Sequence, residues 1–79
     1  MKGRTKVAIY NVKSEVTGAV WKIVATVGQK LEPGDTVMIV ESMKMEIPVI
    51  AEDGGTVKEV LVAEGNPVTE GQPVAALET

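Results

Sequence analysis

The sequence contains an internal repeat, in which residues 18–42 align without a gap with residues 55–79, 37 positions later. Six aligned pairs are identical, and three of these are glycines: Gly18 with Gly55, Gly28 with Gly65, and Gly34 with Gly71. Since Gly supplies the positive φ angles of tight turns, matching glycines predict matching turns. Two copies are too few for a solenoid, so we expect two similar halves that pack face to face about a pseudo-twofold axis.

Each half reads as a set of short strands separated by turns. The chain has 14 Val, 5 Ile and 7 Thr but only 3 Leu, and β-branched residues favour strands. No window keeps the period of a helix. The spacing predicts six strands and two short bridges: residues 9–14, 19–25, 36–41, 46–51, 56–63 and 73–78, with bridges at Leu31 and Val68. Short strands at this spacing are typical of an all-β sandwich or barrel.

The composition excludes several classes of function. The chain has no Cys and no His, which removes disulfides, thiolate metal sites, the usual general base and the commonest metal ligand. Catalysis would rest on Asp35, Asp53 or the nine Glu. No converging pair of carboxylates is evident, so neither a catalytic residue nor a metal site is predicted. A net charge of −3 disfavours nucleic acid as a partner. No long apolar run indicates a signal peptide or a membrane span, so a soluble cytoplasmic protein is expected.

One turn departs from the preferences of its type. Lys44 lies between the predicted strands 36–41 and 46–51, in the connection Ser42-Met43-Lys44-Met45, which has no Gly, Asn or Pro. Two-residue hairpin turns prefer Gly and Asn because positive φ is needed, and violations of local rules are often functional. The repeat places the positions equivalent to Lys44 at the chain ends, so the termini are expected to meet at the end opposite this hairpin. Lys44 is therefore predicted to project its ε-amine from a rigid base, where a separate enzyme could acylate it.

The segment Glu41-Ser42-Met43-Lys44-Met45-Glu46 resembles the Glu-Ala/Ser-Met-Lys-Met-Glu attachment motif of biotinyl domains. The segment Gly18-Ala19-Val20-Trp21-Lys22 is similar to the Gly-Thr-Val-Trp/Lys start of the same domains. A departure lies at residues 14–18, where the family often has Ser-Pro-Met-Pro-Gly and this chain has Ser-Glu-Val-Thr-Gly. The resemblance implies a biotinyl/lipoyl carrier domain at residues 9–79, with residues 1–8 as a flexible N-terminal segment. It implies a flattened barrel, or sandwich, of two four-stranded antiparallel sheets.

The resemblance also implies a function. A biotin–protein ligase would attach biotin to Lys44, and the biotin would shuttle a carboxyl group between a biotin carboxylase site and a carboxyltransferase site. The domain would be a non-catalytic carrier, either a stand-alone protein or part of a biotin-dependent carboxylase. Met43 and Met45 would offer soft contacts beside the cofactor. Glu41, Ser42 and Glu46 would tune recognition by the ligase.

Several alternatives stay open from the residues alone. Lipoate could replace biotin on Lys44, although lipoyl domains usually have Asp-Lys-Ala at this turn. The chain could also be an unmodified interaction module that docks by a strand edge, or an enzyme that uses carboxylates alone. Glu41 and Glu46 could instead protect exposed strand ends from aggregation. Trp21 is expected to be a packing residue, because a stacking platform for nucleic acid would need basic neighbours.

Overall fold

Eight β-strands make up the regular structure of residues 8–79, the part of the chain that this computed structural model describes. The strands are β1 (Ile9–Lys13), β2 (Gly18–Ile23), β3 (Lys30–Leu31), β4 (Asp35–Ser42), β5 (Met45–Ala51), β6 (Gly55–Val60), β7 (Pro67–Val68) and β8 (Pro73–Glu78). The predicted all-β class is confirmed. Among the described residues there is no helix long and apolar enough to cross a membrane. Residues 1–7 of the predicted N-terminal segment lie outside the described residues, and Ala8 accepts a 2.9 Å hydrogen bond from the Thr79 amide.

The strands form two four-stranded antiparallel sheets, as expected from the resemblance. One sheet has the strand order β1-β8-β6-β3, and the other has the order β5-β4-β2-β7. Each half of the repeat therefore contributes two long strands to one sheet and sends its two-residue strand, β3 or β7, to the edge of the other sheet. This exchange joins the halves, because neither half completes a sheet by itself.

The pseudo-twofold symmetry extends to the register of the strands. The pairs β4–β5 and β1–β8 place equivalent residues opposite each other: Val40 opposite Ile47, and Leu77 opposite Tyr10. Both ladders skip one residue at the same place, Val37 in β4 and Val74 in β8. The β4–β5 hairpin and the β1–β8 pair are thus equivalent parts of the fold. The chain closes the first pair with a turn, whereas the second pair brings Ala8 and Thr79 together.

The turns of the two halves are held by equivalent hydrogen bonds from different side chains. Asp35 Oδ2 accepts a hydrogen bond from the Glu32 amide at 2.9 Å, and Gln72 Oε1 accepts one from the Thr69 amide at 2.9 Å. These side chains differ in charge but offer an oxygen at the same place. The matching turns predicted from the repeat are therefore present even where the residue types differ.

Two predicted strands end earlier than expected. β2 ends at Ile23 instead of residue 25, and β6 ends at Val60 instead of residue 63. Just after β2, the amide of Val24 donates a 3.0 Å hydrogen bond to the Val37 carbonyl, and the second half makes the equivalent bond. The chain then leaves its sheet toward the other one. Apolar residues continue beyond the ends of β2 and β6, so the sequence pattern overestimates the length of both strands.

Small aliphatic side chains fill the space between the sheets. The buried apolar residues are Val12, Val20, Ala25, Leu31, Val37, Met38, Val40, Val49, Ala51, Val57, Val68, Val74, Ala75 and Leu77. The dominance of Val agrees with the prediction from composition. Tyr10 packs at the margin of this core, where its hydroxyl donates a 2.6 Å hydrogen bond to the Gly54 carbonyl. Burial raises the pKa of the Tyr10 hydroxyl above its ordinary value.

Candidate functional site

The longest strand pair of the fold ends in a two-residue turn that presents Lys44. The strands β4 and β5 have eight and seven residues, and they stay paired up to Ser42 opposite Met45. Only Met43 and Lys44 therefore lie in the connection. The structure places the lysine at the tip of the predicted hairpin, on the most extended ladder that the fold provides.

Both residues of the turn adopt left-handed backbone conformations. The angle φ is 52° at Met43 and 65° at Lys44, and no other non-glycine residue in the described range has a positive φ. Two successive positive values are typical of a type I′ turn, whose twist matches that of the flanking strands. A left-handed residue other than Gly costs about 1–2 kcal/mol, so the ladder must hold this turn in place. Strain of this kind is concentrated at functional sites.

The side chains of the turn project into solvent. Met43 is 92% exposed and Met45 is 61% exposed, and Lys44 is exposed as well. Lys44 forms no salt bridge with any residue of the described range. Its amine is therefore accessible to the pocket of another protein.

A hydrogen bond fastens the tip of the hairpin, at the last strand pair before the turn, to the loop between β1 and β2. Ser42 Oγ donates to the Thr17 carbonyl at 2.8 Å, and Thr17 Oγ1 accepts from the Glu70 amide at 3.0 Å. Thr17 thus connects the hairpin to the loop between β7 and β8. The structure gives the Ser42 hydroxyl a partner inside the protein. Thr17 was not predicted as part of the site, because it lies 25 positions from Ser42 and no local pattern indicates the contact.

The strand β2 passes close to the hairpin at Gly18. A Cβ atom at this position would collide with the backbone carbonyl of Glu41 and would lie 3.1 Å from Val40 Cγ1. The missing side chain therefore allows β2 to approach β4 next to the turn that presents Lys44. The requirement here is for space, since Gly18 is not among the glycines with positive φ.

The repeat provides an internal reference for the charges around the turn. In the second half, Lys58 Nζ lies 3.3 Å from Glu78 Oε1. The equivalent positions in the first half hold Trp21 and Glu41, and Glu41 faces Glu46 directly across the ladder. Like charges directly opposite each other are destabilising. The half with the exposed lysine thus has two carboxylates and an aromatic ring where the other half has an ion pair.

Trp21 does not pack as the sequence predicted. Its side chain is 49% exposed, and it lies at a shift of register between Val20 and Lys22. Trp21 follows the buried Val20 and is the residue that the ladder skips, and the adjacent Lys22 is exposed as well. The expectation that Trp21 is a packing residue is therefore wrong, because half of its surface faces solvent.

The site is a protrusion and not a cavity. A cleft of about 630 Å³ does exist, but it lies along β1 and the turns after β5 and β7, and its lining includes Tyr10, Asp53 and Glu70. No residue of the segment 41–46 lines this cleft. A protruding amine suits a group that is delivered into the active site of another protein.

The arrangement at the turn fits a covalently attached acyl group. An amide bond requires a primary amine that a modifying enzyme can reach, and Lys44 supplies one between two exposed thioethers. No group of three or more side chains that could hold a metal ion occurs in residues 8–79. The exposed amine of Lys44 offers acylation directly.

Comparisons with known proteins agree with this geometry. The family model for biotin/lipoyl domains, described as biotin-requiring enzyme, matches residues 8–77. The chain is 44% identical over 66 residues to the biotin/lipoyl attachment protein of Bacillus subtilis, and the match covers 84% of this chain and 90% of that protein. It is 36% identical over 67 residues to the biotinylated protein TB7.3 homolog of Mycobacterium leprae, and the match covers 85% of this chain and 94% of that protein.

The fold is also similar to a segment of a much larger enzyme. The crystal structure of the urea carboxylase of Kluyveromyces lactis matches with a TM-score of 0.85 and 38% sequence identity. The match covers 98% of this chain but only 7% of that enzyme. Both the family model and the two bacterial relatives span most of this chain. The chain belongs to the biotin/lipoyl attachment domain family.

Proposed function

We propose that this protein is a biotin carboxyl carrier in which Lys44 holds biotin through an amide bond to its side-chain nitrogen. The observation that carries the proposal is the turn, in which a lysine lies between two exposed methionines in a left-handed conformation without glycine. The names of the relatives support biotin over lipoate, since one of them is a biotinylated protein. Residues 9–79 are the carrier unit in this proposal.

Attachment requires a ligase that activates the carboxyl group of biotin and supplies a general base. The Lys44 nitrogen, once deprotonated, attacks the activated carboxyl carbon. The activating group leaves, and a neutral amide replaces the ammonium. The chain has no His or Cys, so the base is expected to come from the ligase. This chain contributes the amine and its position, and the paired strands limit the ordering that docking requires.

The ligase and the later partners recognise the surface around the turn. Met43 and Met45 offer apolar contacts that adapt to the partner's shape. Glu41 and Glu46 attract a basic group of the partner, and such a group would relieve the repulsion between the two carboxylates. Ser42 contributes indirectly, because its internal hydrogen bond fixes the direction in which the turn projects.

Lys44 would hold the biotin, which would supply an acceptor for a carboxyl group that is taken up in one active site and released in another. The fold provides a rigid mount and the lysine side chain a flexible arm, and tethering raises the effective concentration of the cofactor at both sites. The partners are a biotin carboxylase and a carboxyltransferase, and the similarity to a segment of a urea carboxylase supports this kind of partner. The carrier itself catalyses neither reaction.

A two-stage labelling experiment tests this function. The protein is first incubated with a biotin–protein ligase, ATP and biotin, and in parallel with a lipoate–protein ligase, ATP and lipoate. We expect loading with biotin and little or none with lipoate. The loaded protein is then incubated with a biotin carboxylase, ATP and radiolabelled bicarbonate, with unloaded protein as the control. Protein-bound label is expected only on the loaded sample. Exclusive loading with lipoate would overturn the choice of cofactor, and loaded protein without label would overturn the carrier role.

A further inference from the structure

Two thioethers at the hairpin tip are open to chemistry that the attachment of biotin does not use. Met43 is 92% exposed and Met45 is 61% exposed, whereas Met38 in the core is 0% exposed. Oxidation of a methionine by peroxides follows its accessibility. Residues 8–79 thus contain two open thioethers beside Lys44 and one protected thioether that serves as an internal reference.

The backbone conformation does not explain why position 43 is a methionine. Every other positive φ in the described range belongs to a glycine, with the exception of the neighbouring Lys44. A glycine at position 43 would remove the strain of the left-handed conformation. Neither the turn nor the core requires a methionine here, so its exposed thioether is available for contact with another molecule. Met45 lies on the other side of Lys44 in the chain and is exposed as well.

We propose that Met43 and Met45 form a reversible oxidation site that controls the loading of Lys44, an inference that rests on the proposed function. The oxidant is a peroxide. The thioether sulfur attacks one peroxide oxygen, the O–O bond breaks, the sulfur becomes a sulfoxide, and the peroxide is reduced to water. Reversal requires a methionine sulfoxide reductase with a dithiol, which yields the thioether, a disulfide and water.

The sulfoxide acts on docking and leaves the fold intact. Both side chains project away from the core, and neither belongs to the set of buried apolar residues. A sulfoxide oxygen, however, is a strong hydrogen-bond acceptor that loses its water when the ligase covers the turn. An acceptor buried without a partner is costly, so each sulfoxide is expected to lower the loading rate roughly tenfold at limiting carrier concentration.

The experiment separates the oxidation site from its consequence. The protein is treated with graded hydrogen peroxide, the peroxide is destroyed with catalase, and the ligase is then added. Peptide mapping is expected to find sulfoxide at Met43 and Met45 well before Met38. The loading rate should fall at least tenfold, the thermal unfolding midpoint should stay the same, and methionine sulfoxide reductases A and B should restore loading.

A matched variant shows whether the thioethers carry the effect. Leucine keeps the apolar character but does not react with peroxide, so the double variant Met43→Leu/Met45→Leu should load at a rate that peroxide treatment does not change, whatever its starting rate. The inference is overturned if the oxidised wild-type protein loads as fast as the untreated protein. It is also overturned if peroxide lowers the loading rate of the leucine variant as much as that of wild type. Failure of the untreated protein to load would instead overturn the proposed function, and the inference with it.

Discussion

The Lys58 ammonium lies 3.3 Å from the Glu78 carboxylate. The repeat gives this ion pair a counterpart in the first half, where Trp21 and Glu41 hold the equivalent positions and Glu46 faces Glu41. One copy of the same local structure thus balances its charges, while the copy that bears the exposed lysine does not. We interpret the difference as the cost of a recognition surface, because the balanced arrangement is available to this backbone.

Replacing one carboxylate of this facing pair is expected to stabilise the protein and impair its loading. The change Glu46→Lys places opposite charges across the ladder from Glu41, and should raise the free energy of unfolding by about 0.5 kcal/mol. The loading rate should fall, because a basic group of the ligase loses its partner. Urea denaturation and initial loading rates measure the two effects. Glu52→Lys makes the same change in charge beyond the far end of β5 and should leave loading unaltered. Equal loading by both variants would contradict a role for Glu46.

The strain at the tip predicts a stabilising substitution. Asn tolerates the left-handed conformation better than Met does, so Met43→Asn should raise the free energy of unfolding by about 0.5–1 kcal/mol. Met45 has no positive φ, and Met45→Asn should bring no such gain. Chemical denaturation of the two variants tests the difference. A loss of stability in Met43→Asn that matches the loss in Met45→Asn would show that the turn is unstrained.

The hydrogen bond from Ser42, beside the turn, predicts a local effect. Ser42→Ala removes the 2.8 Å bond to the Thr17 carbonyl and should cost about 0.5–1 kcal/mol, the lower part of the range for such bonds, because the pair is exposed. Amide hydrogen exchange should become faster near the tip of β4 and β5, with no change in β6 and β8. Equally faster amide exchange in all strands would show that the Ser42–Thr17 hydrogen bond does not act locally.

Two glycines of the repeat are predicted to differ in their sensitivity to substitution. Gly18→Ala forces a Cβ against the Glu41 carbonyl and should cost more than about 2 kcal/mol. Gly28 has φ of 91° and nothing within 4 Å of an added Cβ, so Gly28→Ala should cost only about 1 kcal/mol of backbone strain. Thermal unfolding should show a larger loss of stability for Gly18→Ala than for Gly28→Ala. The reverse order would mean that β2 can move away from the hairpin.

Local chemistry made much of the fold predictable. The matched glycines and the β-branched residues placed four of the six long strands to within one residue at each end, including β4 and β5 around Lys44. The ends of β2 and β6 were predicted too late, because the chain leaves each sheet while its residues are still apolar. The partners of β3 and β7 were not predicted, since two-residue strands carry no signal of which strand they join.

The site, like the fold, has features that local sequence predicts and features that depend on contacts between distant residues. The position of Lys44 at a strained tip was predictable because a turn of four residues contains all the evidence for it. Thr17 was missed because its bond to Ser42 depends on how distant segments meet. The exposure of Trp21 was missed although the sequence allowed it to be predicted, since Trp21 follows the apolar Val20 and alternation along a strand directs the next side chain outward.

The most direct test of the account is the mass and the location of the modification after treatment with a biotin–protein ligase, ATP and biotin. Intact mass spectrometry of the wild-type protein should show the addition of one biotinyl group, and peptide mapping should place it on Lys44. The variant Lys44→Arg should gain no mass and should unfold at the same temperature as wild type. Biotin on Lys13, Lys22, Lys30 or Lys58 in place of Lys44, or unchanged loading of Lys44→Arg, would contradict the assignment of the attachment site.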